Sequence, residues 1–268
     1  VSLRDLIIAN PDAQLSQIMS PDVVSVRDDM DQEQMARLVQ RYDLVALPVV
    51  DAENRLIGVI TVDDVLDVVE EEATEDIYKL AGIGVKARAL SPLRESLQRR
   101  LPWLAVNGAV ALIAAFVVSR FENTIAQVAA LAVFMPVIAG QGGNAGVQTA
   151  TIVVRALALE EITISDLFRV LVKELELGVV KGLIFGSAIG AIAWAWQQNE
   201  TFALIAGSAM FLNMIVASLT GVLIPMTLRY VLKLDPATAA GVFDTMVTDI
   251  MGFLIFLGLA TIMLDRLS

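Results

Sequence analysis

Two aspartates in an apolar segment near the C-terminus are the residues best suited to ion chemistry. Asp244 and Asp249 occur in GVFDTMVTDIMGF, within a stretch long and apolar enough to cross a membrane. Ionisable residues inside the hydrocarbon region are costly and usually face a cavity or a partner helix. Five residues at about 100° each place the two carboxyls roughly 140° apart around a helix, so they do not face one narrow feature.

The two aspartates have different expected roles. Asp249 lies deeper in the segment and has Thr245 and Thr248 on neighbouring faces, which makes it the better pore-lining candidate. The structural alternative for Asp249 is a protonated acid bonded across helices. Asp244 suggests a second cation site or an ion-pair partner for a base such as Lys181.

A second polar stretch, PVIAGQGGNAGVQ at 136–148, interrupts another apolar run. It fits the dinucleotide fingerprint G-x-G-x-x-A only weakly, since no strand precedes it. Gly142 and Gly146 form the helix-packing pattern GxxxG, but packing alone does not require Pro136, Gln141 or Asn144. Irregular backbone at membrane depth persists only where it is buried in protein or lines water. We therefore expect a loosened backbone here, with carbonyls free to contact a cation or its hydration shell.

The composition indicates a membrane protein with an acidic soluble part. Of 268 residues, 56% are apolar, and the net charge is −11. The chain has neither cysteine nor histidine, which excludes disulfides, thiolate metal sites and imidazole catalysis. Metal chemistry must then use oxygen ligands, which suit Mg²⁺, Ca²⁺ or Mn²⁺.

Five segments are long enough to span a lipid bilayer. Their approximate bounds are 102–119, 125–153, 175–196, 202–230 and 237–264. Basic residues cluster before the first span, between the second and third, and between the fourth and fifth, so the positive-inside rule places the N-terminus in the cytoplasm and the C-terminus outside. We expect three parts: a regulatory domain at 1–72, an acidic linker with a connecting (plug) helix at 73–101, and a five-helix pore domain at 102–268.

The soluble part resembles a CBS domain. The segment LPVVDAENRLIGVITVDDVLDVV predicts strand, turn, strand and helix, and VSLRDLI resembles the end of a preceding copy. In many CBS domains the run Gly-x-x-x-Thr-x-x-Asp contacts an adenine nucleotide, and Gly58, Thr61 and Asp64 match it. The resemblance implies that ATP is a candidate ligand, while Thr61 and Asp64 also fit an ordinary helix N-cap.

A run of acids follows, without a base, between positions 63 and 76. Most such runs are solvated helix faces. A divalent cation would relieve their mutual repulsion and stabilise the arrangement that brings the carboxylates together. The candidate regulatory ligands are Asp63, Asp67, Glu70, Glu71, Glu75 and Asp76.

Three segments together resemble the MgtE family of magnesium channels. They are the glycine-rich stretch on the second span, VKELELGVVKG on the third and DTMVTDIMGF on the fifth. The resemblance implies a mainly α-helical membrane protein, not an enzyme, in the bacterial inner membrane. It implies a homodimer with the pore between subunits, and Mg²⁺ influx that cytoplasmic Mg²⁺ shuts off through the CBS and connecting-helix region. It assigns the pore aspartate to Asp249, backbone near the path to Gly140 and Gly143, and a neighbouring position to Thr245. Asp244 departs from the small or hydroxyl residue common there, so an additional site is expected.

Three other functions compete with this one. A carrier coupling a divalent ion to H⁺ or Na⁺ would use Asp244 as its coupling site. An intramembrane aspartyl protease needs two aspartates facing one another from different helices, whereas both lie on one helix here. A CBS-gated anion channel is disfavoured by carboxylates in the pore. No nucleic-acid partner is expected.

Overall fold

The computed structural model describes residues 1, 3–19, 22–81, 90–238 and 240–267, in two compact units, Val1–Thr74 and Glu75–Ser268. The predicted fold class is confirmed: an α/β unit precedes a helical unit, which in the described ranges has five helices that could cross a membrane. The unit boundary falls two residues beyond the predicted one at residue 72. Ser2, part of the predicted first repeat, and residues 82–89 of the predicted linker lie outside the described residues.

The first unit is built around a small mixed sheet. Its elements are α1 (Leu3–Ile8), α2 (Leu15–Ile18), β1 (Val26–Arg27), α3 (Gln32–Arg41), β2 (Ala46–Val50), β3 (Leu56–Thr61) and the beginning of α4 (Val62–Leu80). Strand β2 lies in the middle, parallel to β1 and antiparallel to β3, with Leu47 opposite Ile60. The predicted order of strand, turn, strand and helix is thus found at β2, β3 and α4.

Local sequence explains the ends of these elements. Asp31 accepts hydrogen bonds from the amides of Glu33 and Gln34 and so caps α3. Asn54 adopts a left-handed φ of 62° in the β2–β3 turn, which asparagine tolerates better than most residues. The core of this unit consists of Val26, Met35, Ala36, Val39, Leu47 and Val65.

The second unit contains the five membrane helices, here α5 (Leu93–Ser119), α7 (Ala130–Ala158), α8 (Leu167–Gln197), α9 (Glu200–Tyr230) and α10 (Ala240–Ile262). A short helix, α6 (Glu122–Gln127), precedes α7. Gln198, with a φ of 51°, ends α8, and Asn199 caps α9 by accepting a bond from the amide of Phe202 at 2.9 Å. This tight turn makes α8 and α9 antiparallel neighbours.

The predicted connecting helix and the first membrane span form one helix. Helix α5 continues from Leu93 through Pro102 to Ser119, although the sequence suggested a division near this proline. A proline removes one backbone donor and can still be accommodated inside a long helix in an apolar setting.

The glycine-rich stretch differs from its prediction. Helix α7 runs unbroken from Ala130 to Ala158 through Pro136 and all four glycines of the stretch, so the expected loosened backbone is wrong. In lipid, water cannot replace a backbone hydrogen bond that the helix leaves unmade. A continuous helix is therefore favoured even where glycine is abundant.

Helices α8 and α9 pack closely because small residues face each other. A Cβ added at Gly186 would lie 2.8 Å from the carbonyl oxygen of Gly207, closer than packed atoms allow. The main core lies between α7, α9 and α10, where Phe202, Met210, Phe256 and Leu257 are fully buried or nearly so.

Candidate functional site

An open groove lies between α7 and α10 and holds most of the predicted pore residues. Its volume is about 600 Å³. Helix α10 contributes Thr245 and Asp249, one turn apart, and α7 contributes Gly140, Gln141, Gly143, Asn144, Val147 and Gln148. The structure therefore brings Asp249, Thr245, Gly140 and Gly143 together. Their role in binding metal stays a prediction.

The two α10 residues offer oxygen atoms to the groove. The Thr245 hydroxyl donates to the Gly241 carbonyl at 2.9 Å, so the lone pairs of its oxygen remain available as acceptors. Within the described residues the Asp249 carboxylate forms neither a hydrogen bond nor an ion pair, and it is partly exposed. Both groups are suited to a cation or to its bound water.

Helix α7 presents amides and bare backbone to the same groove. Asn144 and Gln148, four residues apart, are exposed, and Gln141 lies one turn before Asn144 on the same stripe. Gly140 is also exposed, and a Cβ added there would meet no atom within 4 Å. The groove is thus lined by uncharged polar groups around one carboxylate.

The opposite side of α7 forms a second polar region, which we call the seam: Gly142 and Gly146 of α7, Asn213 and Thr220 of α9, and Asp244 and Gly252 of α10. A Cβ at Gly142 would lie 2.1 Å from Asn213 Nδ2, and one at Gly252 would lie 2.9 Å from the same atom. Asn213 is fully buried and donates to the Ile138 carbonyl at 2.9 Å. Glycines therefore make room for polar side chains from neighbouring helices.

Asp244 lies in the seam and not in the groove, which differs from its predicted place in the pore. It is fully buried, and the Thr220 hydroxyl donates to its Oδ1 at 2.7 Å. A Cβ added at Gly146 would lie 1.8 Å from Asp244 Oδ2, which has no hydrogen-bond partner among the described residues. Its partner is Thr220 and not the suggested Lys181.

The sequence argument missed several buried polar residues. Asn213 and Thr220 were not singled out, nor was the pair Thr149–Glu174, in which the threonine hydroxyl donates to Glu174 Oε2 at 3.1 Å. The available signal was polarity inside an apolar run, as at Asn213 in MFLNMIV. That signal marks a residue as unusual without naming its partner.

The acidic run lies on α4, largely exposed in its first half. Asp63, Asp67, Glu70 and Glu71 are all exposed. Glu72, also in the first unit, accepts a bond from Gln32 Nε2 at 2.6 Å. Among the described residues, no three carboxylates converge to hold a metal ion. A regulatory cation site on these residues stays a prediction.

The last turn of α4 belongs to the second unit and is held by an ion pair. Lys79 Nζ lies 2.5 Å from Glu75 Oε1 and 2.6 Å from Asp235 Oδ2. Burial alone would lower the pKa of Lys79, but its bonds to Asp235 and Glu75 outweigh burial and raise that pKa. Leu80 packs beside Ala150, Val154 and Ala240.

The candidate nucleotide residues occupy the junction of β3 and α4. Thr61 donates from its hydroxyl to Asp64 Oδ2 at 2.8 Å and from its amide to the same oxygen at 3.2 Å. The bond from the amide is the one that the acidic residue of a capping box accepts. Gly58 lies in β3 with open space where a Cβ would be, so the three residues leave room for a ligand without demonstrating one.

Comparison with known families agrees with the sequence resemblance. Residues 135–259 match the family model MgtE, described as a divalent cation transporter, and residues 15–71 match the CBS domain. The first match contains the whole groove, and the second contains β1 to β3 and the first half of α4.

Related proteins match over almost the whole chain. The magnesium transporter MgtE of Bacillus subtilis is 37% identical over 267 residues, covering 100% of this chain and 59% of that protein. The magnesium transporter MgtE of Thermus thermophilus is 39% identical over 268 residues, covering 99% of this chain and 59% of that protein. The chain thus spans less than two thirds of the length of the curated relatives that it matches.

A solved structure matches about a quarter of the chain. It is described as the cytosolic domain of the Mg²⁺ channel MgtE in complex with ATP, and it is 60% identical over 25% of this chain and 27% of that chain, with a TM-score of 0.25.

Proposed function

We propose that the chain, whose residues 135–259 match the MgtE family model of divalent cation transporters, forms a channel for Mg²⁺ influx. One observation carries the proposal: an unpaired carboxylate, Asp249, faces a polar groove between two membrane helices. An inside-negative membrane potential would drive the ion, at roughly 2.3 kcal/mol per charge per 100 mV.

The chemistry of the groove suits a hydrated divalent ion. Mg²⁺ gives up its water reluctantly, so it is better held through water than by a complete cage of protein ligands. Asp249 supplies the charge, and the Thr245 hydroxyl, Asn144 and Gln148 supply acceptors for the water shell. Gly140 leaves its backbone exposed, Gly143 lines the same groove without a side chain, and a helical carbonyl keeps a second lone pair for such contacts.

We propose that two copies of the chain complete the path. One copy presents one carboxylate in an open groove, and a two-fold axis beside it would place two Asp249 side chains around one ion. The exposed polar side of α7, at Asn144 and Gln148, would then be covered by protein and by the permeating water. The five helices lie in the lipid bilayer, with the N-terminus cytoplasmic and the C-terminus outside in a bacterial inner membrane.

Two cytoplasmic ligands are proposed for regulation. Mg²⁺ would bind among the acids of α4 and favour a closed pore, because it relieves repulsion between carboxylates that approach one another. ATP would bind at Gly58, Thr61 and Asp64, where the hydroxyl and carboxylate of the cap also match a ribose and phosphate contact.

The test is Mg²⁺ uptake into proteoliposomes that contain a fluorescent Mg²⁺ indicator, with the voltage set by a K⁺ gradient. The parent chain is compared with Asp249→Ala and with Asp265→Ala, a matched control at an exposed position outside the groove. We expect voltage-dependent uptake in the parent and the control, and loss of uptake in Asp249→Ala.

Equal uptake in all three would mean that Asp249 does not line the ion path. Uptake that requires a pH or Na⁺ gradient and ignores voltage would favour the alternative function, a carrier coupled to H⁺ or Na⁺.

A further inference from the structure

Helix α10 needs a device that fixes its rotation about its own axis. Its side chains are apolar on every side, with Phe256 and Leu257 buried and Phe243 and Leu254 exposed, so hydrophobic burial alone does not select one orientation. Thr245 and Asp249 face the groove only in one rotational setting. Polar contacts with other helices must therefore contribute to that setting.

Within the described residues, α10 makes two side-chain hydrogen bonds to other helices. One joins Thr220 to Asp244 near the start of α10, and the other joins Thr124 to Thr261 at 2.9 Å near its end. The hydroxyls of Thr245 and Thr248 donate to carbonyls of α10 itself and so do not anchor it to a neighbour. Only the Asp244 contact lies within two turns of Asp249.

The Asp244 side chain is held from two sides. Thr220 of α9 donates to one carboxyl oxygen, and Gly146 of α7 leaves the space that the other oxygen fills. A rotation of α10 would break the first contact and drive the carboxyl out of the space at Gly146. The contact therefore relates α10 to α7 and α9 at once.

We propose that Asp244 is a positioning residue for the groove: its carboxyl, held between Thr220 and Gly146, sets the rotation at which α10 presents Thr245 and Asp249. This inference rests on the groove being the ion path, and it assigns Asp244 no direct contact with the ion. It accounts for a buried carboxyl that the groove itself does not use.

The test uses the natural absence of cysteine in the chain. A single cysteine is placed by Thr245→Cys, on the groove side, or by Val247→Cys, about 200° away around the helix. The rate of reaction with a charged, water-soluble thiol reagent is measured for each cysteine in liposomes. The rate at position 245 divided by the rate at position 247 reports the rotation of α10. The ratio does not depend on transport.

Each cysteine is then combined with one of three substitutions. Thr220→Val has nearly the shape of threonine but cannot donate, and Thr220→Ser keeps the hydroxyl. Thr261→Val is the matched control, since it removes the other interhelical bond of α10. We expect the ratio to fall toward one in Thr220→Val only, and to keep its parent value in Thr220→Ser and Thr261→Val.

A ratio unchanged by Thr220→Val, or lowered equally by Thr261→Val, would overturn the positioning role. A parent ratio already near one would contradict the groove as a water-lined path, and with it the function proposed above. If Thr220→Val lowers the ratio, the uptake assay should also show a lower preference for Mg²⁺ over Ca²⁺, which a loss of folded protein alone would not produce.

Discussion

The two sides of helix α7 contain similar residues and lie in different surroundings. On the groove side, Gly140 and Asn144 are exposed, and a Cβ added at Gly140 would meet no atom within 4 Å. On the seam side, Gly142 and Gly146 are buried and receive Asn213 and Asp244. Glycines next to polar groups thus line an open groove on one side and allow close packing on the other.

The comparison shows that residue type alone does not separate a pore from a packed interface. Two aspartates five positions apart on α10 reach opposite surroundings because α10 turns one toward the groove and the other toward α9. Whether a polar residue is exposed or buried depends on which side chains of neighbouring helices lie opposite it, and not on the local composition. Substitutions on the two sides of α7 should therefore have separable effects.

The largest effect on stability is expected from Gly146→Ala. The added Cβ would overlap the Asp244 carboxyl, and overpacking of a core costs about 1–3 kcal/mol. Gly140→Ala is the matched control on the same helix, since its Cβ would meet open space. Thermal unfolding in detergent, followed by tryptophan fluorescence, should show a lower Tm for Gly146→Ala and no loss for Gly140→Ala.

A double substitution sharpens this test. Gly146→Ala combined with Asp244→Ala should be less destabilised than the sum of the two single changes, because the overlap is gone. Additive losses would contradict the close contact between the two positions.

The next largest effect is expected from Asn213→Leu. The substitution removes the bond from Asn213 Nδ2 to the Ile138 carbonyl, and interhelical hydrogen bonds in membranes contribute about 0.6–1.7 kcal/mol. The Tm should fall by less than for Gly146→Ala. An unchanged Tm would mean that the hydrogen bond from the Asn213 amide to α7 does not stabilise the fold.

Asn144→Ala should separate transport from stability. Asn144 is exposed in the groove, and the loss of one hydrogen bond to a hydrated ion, worth about 1 kcal/mol, corresponds to roughly fivefold slower uptake. We expect the Tm to stay at the parent value, measured as for Asn213→Leu. A fall in Tm without a change in uptake would reverse the assignment of the two sides of α7.

The smallest effect is expected at the end of α4, from Lys79→Met. The Lys79–Asp235 pair is partly exposed, so its contribution is at most about 1 kcal/mol. Because the pKa of Lys79 is raised in the folded protein, this stabilisation is complete below the ordinary value of 10.5 and is lost as the pH rises from there through the raised pKa. The difference in Tm between parent and Lys79→Met should be constant near neutral pH and shrink in strong alkali.

The sequence predicted the architecture better than the internal contacts. Hydropathy located five spans because lipid imposes a minimum apolar length. The CBS pattern located β2 and β3 as apolar runs on either side of the turn at Asn54. Asp249, Thr245 and Gly140 were correctly grouped in space, although their metal-binding role is untested. The resemblance, more than the spacing, supplied that grouping.

The failures have a common physical cause. The predicted break in α7 assumed that glycine weakens a helix as it does in water, whereas in lipid the backbone bonds have no competitor. Asn213 and Thr220 were missed, and Asp244 was misplaced, because their roles depend on which helix lies opposite. A single sequence contains the polar residues but not their pairing.

The contact between Gly146 and Asp244 also limits how this sequence can change over generations. Any residue larger than glycine at 146 takes the space of the carboxyl at 244, so the two positions must drift together. Among descendants of this chain, a side chain at one position should accompany a small residue at the other, and intermediates with both would be purged. The close contact between the two residues should thus appear as covariation of positions 146 and 244 in related sequences.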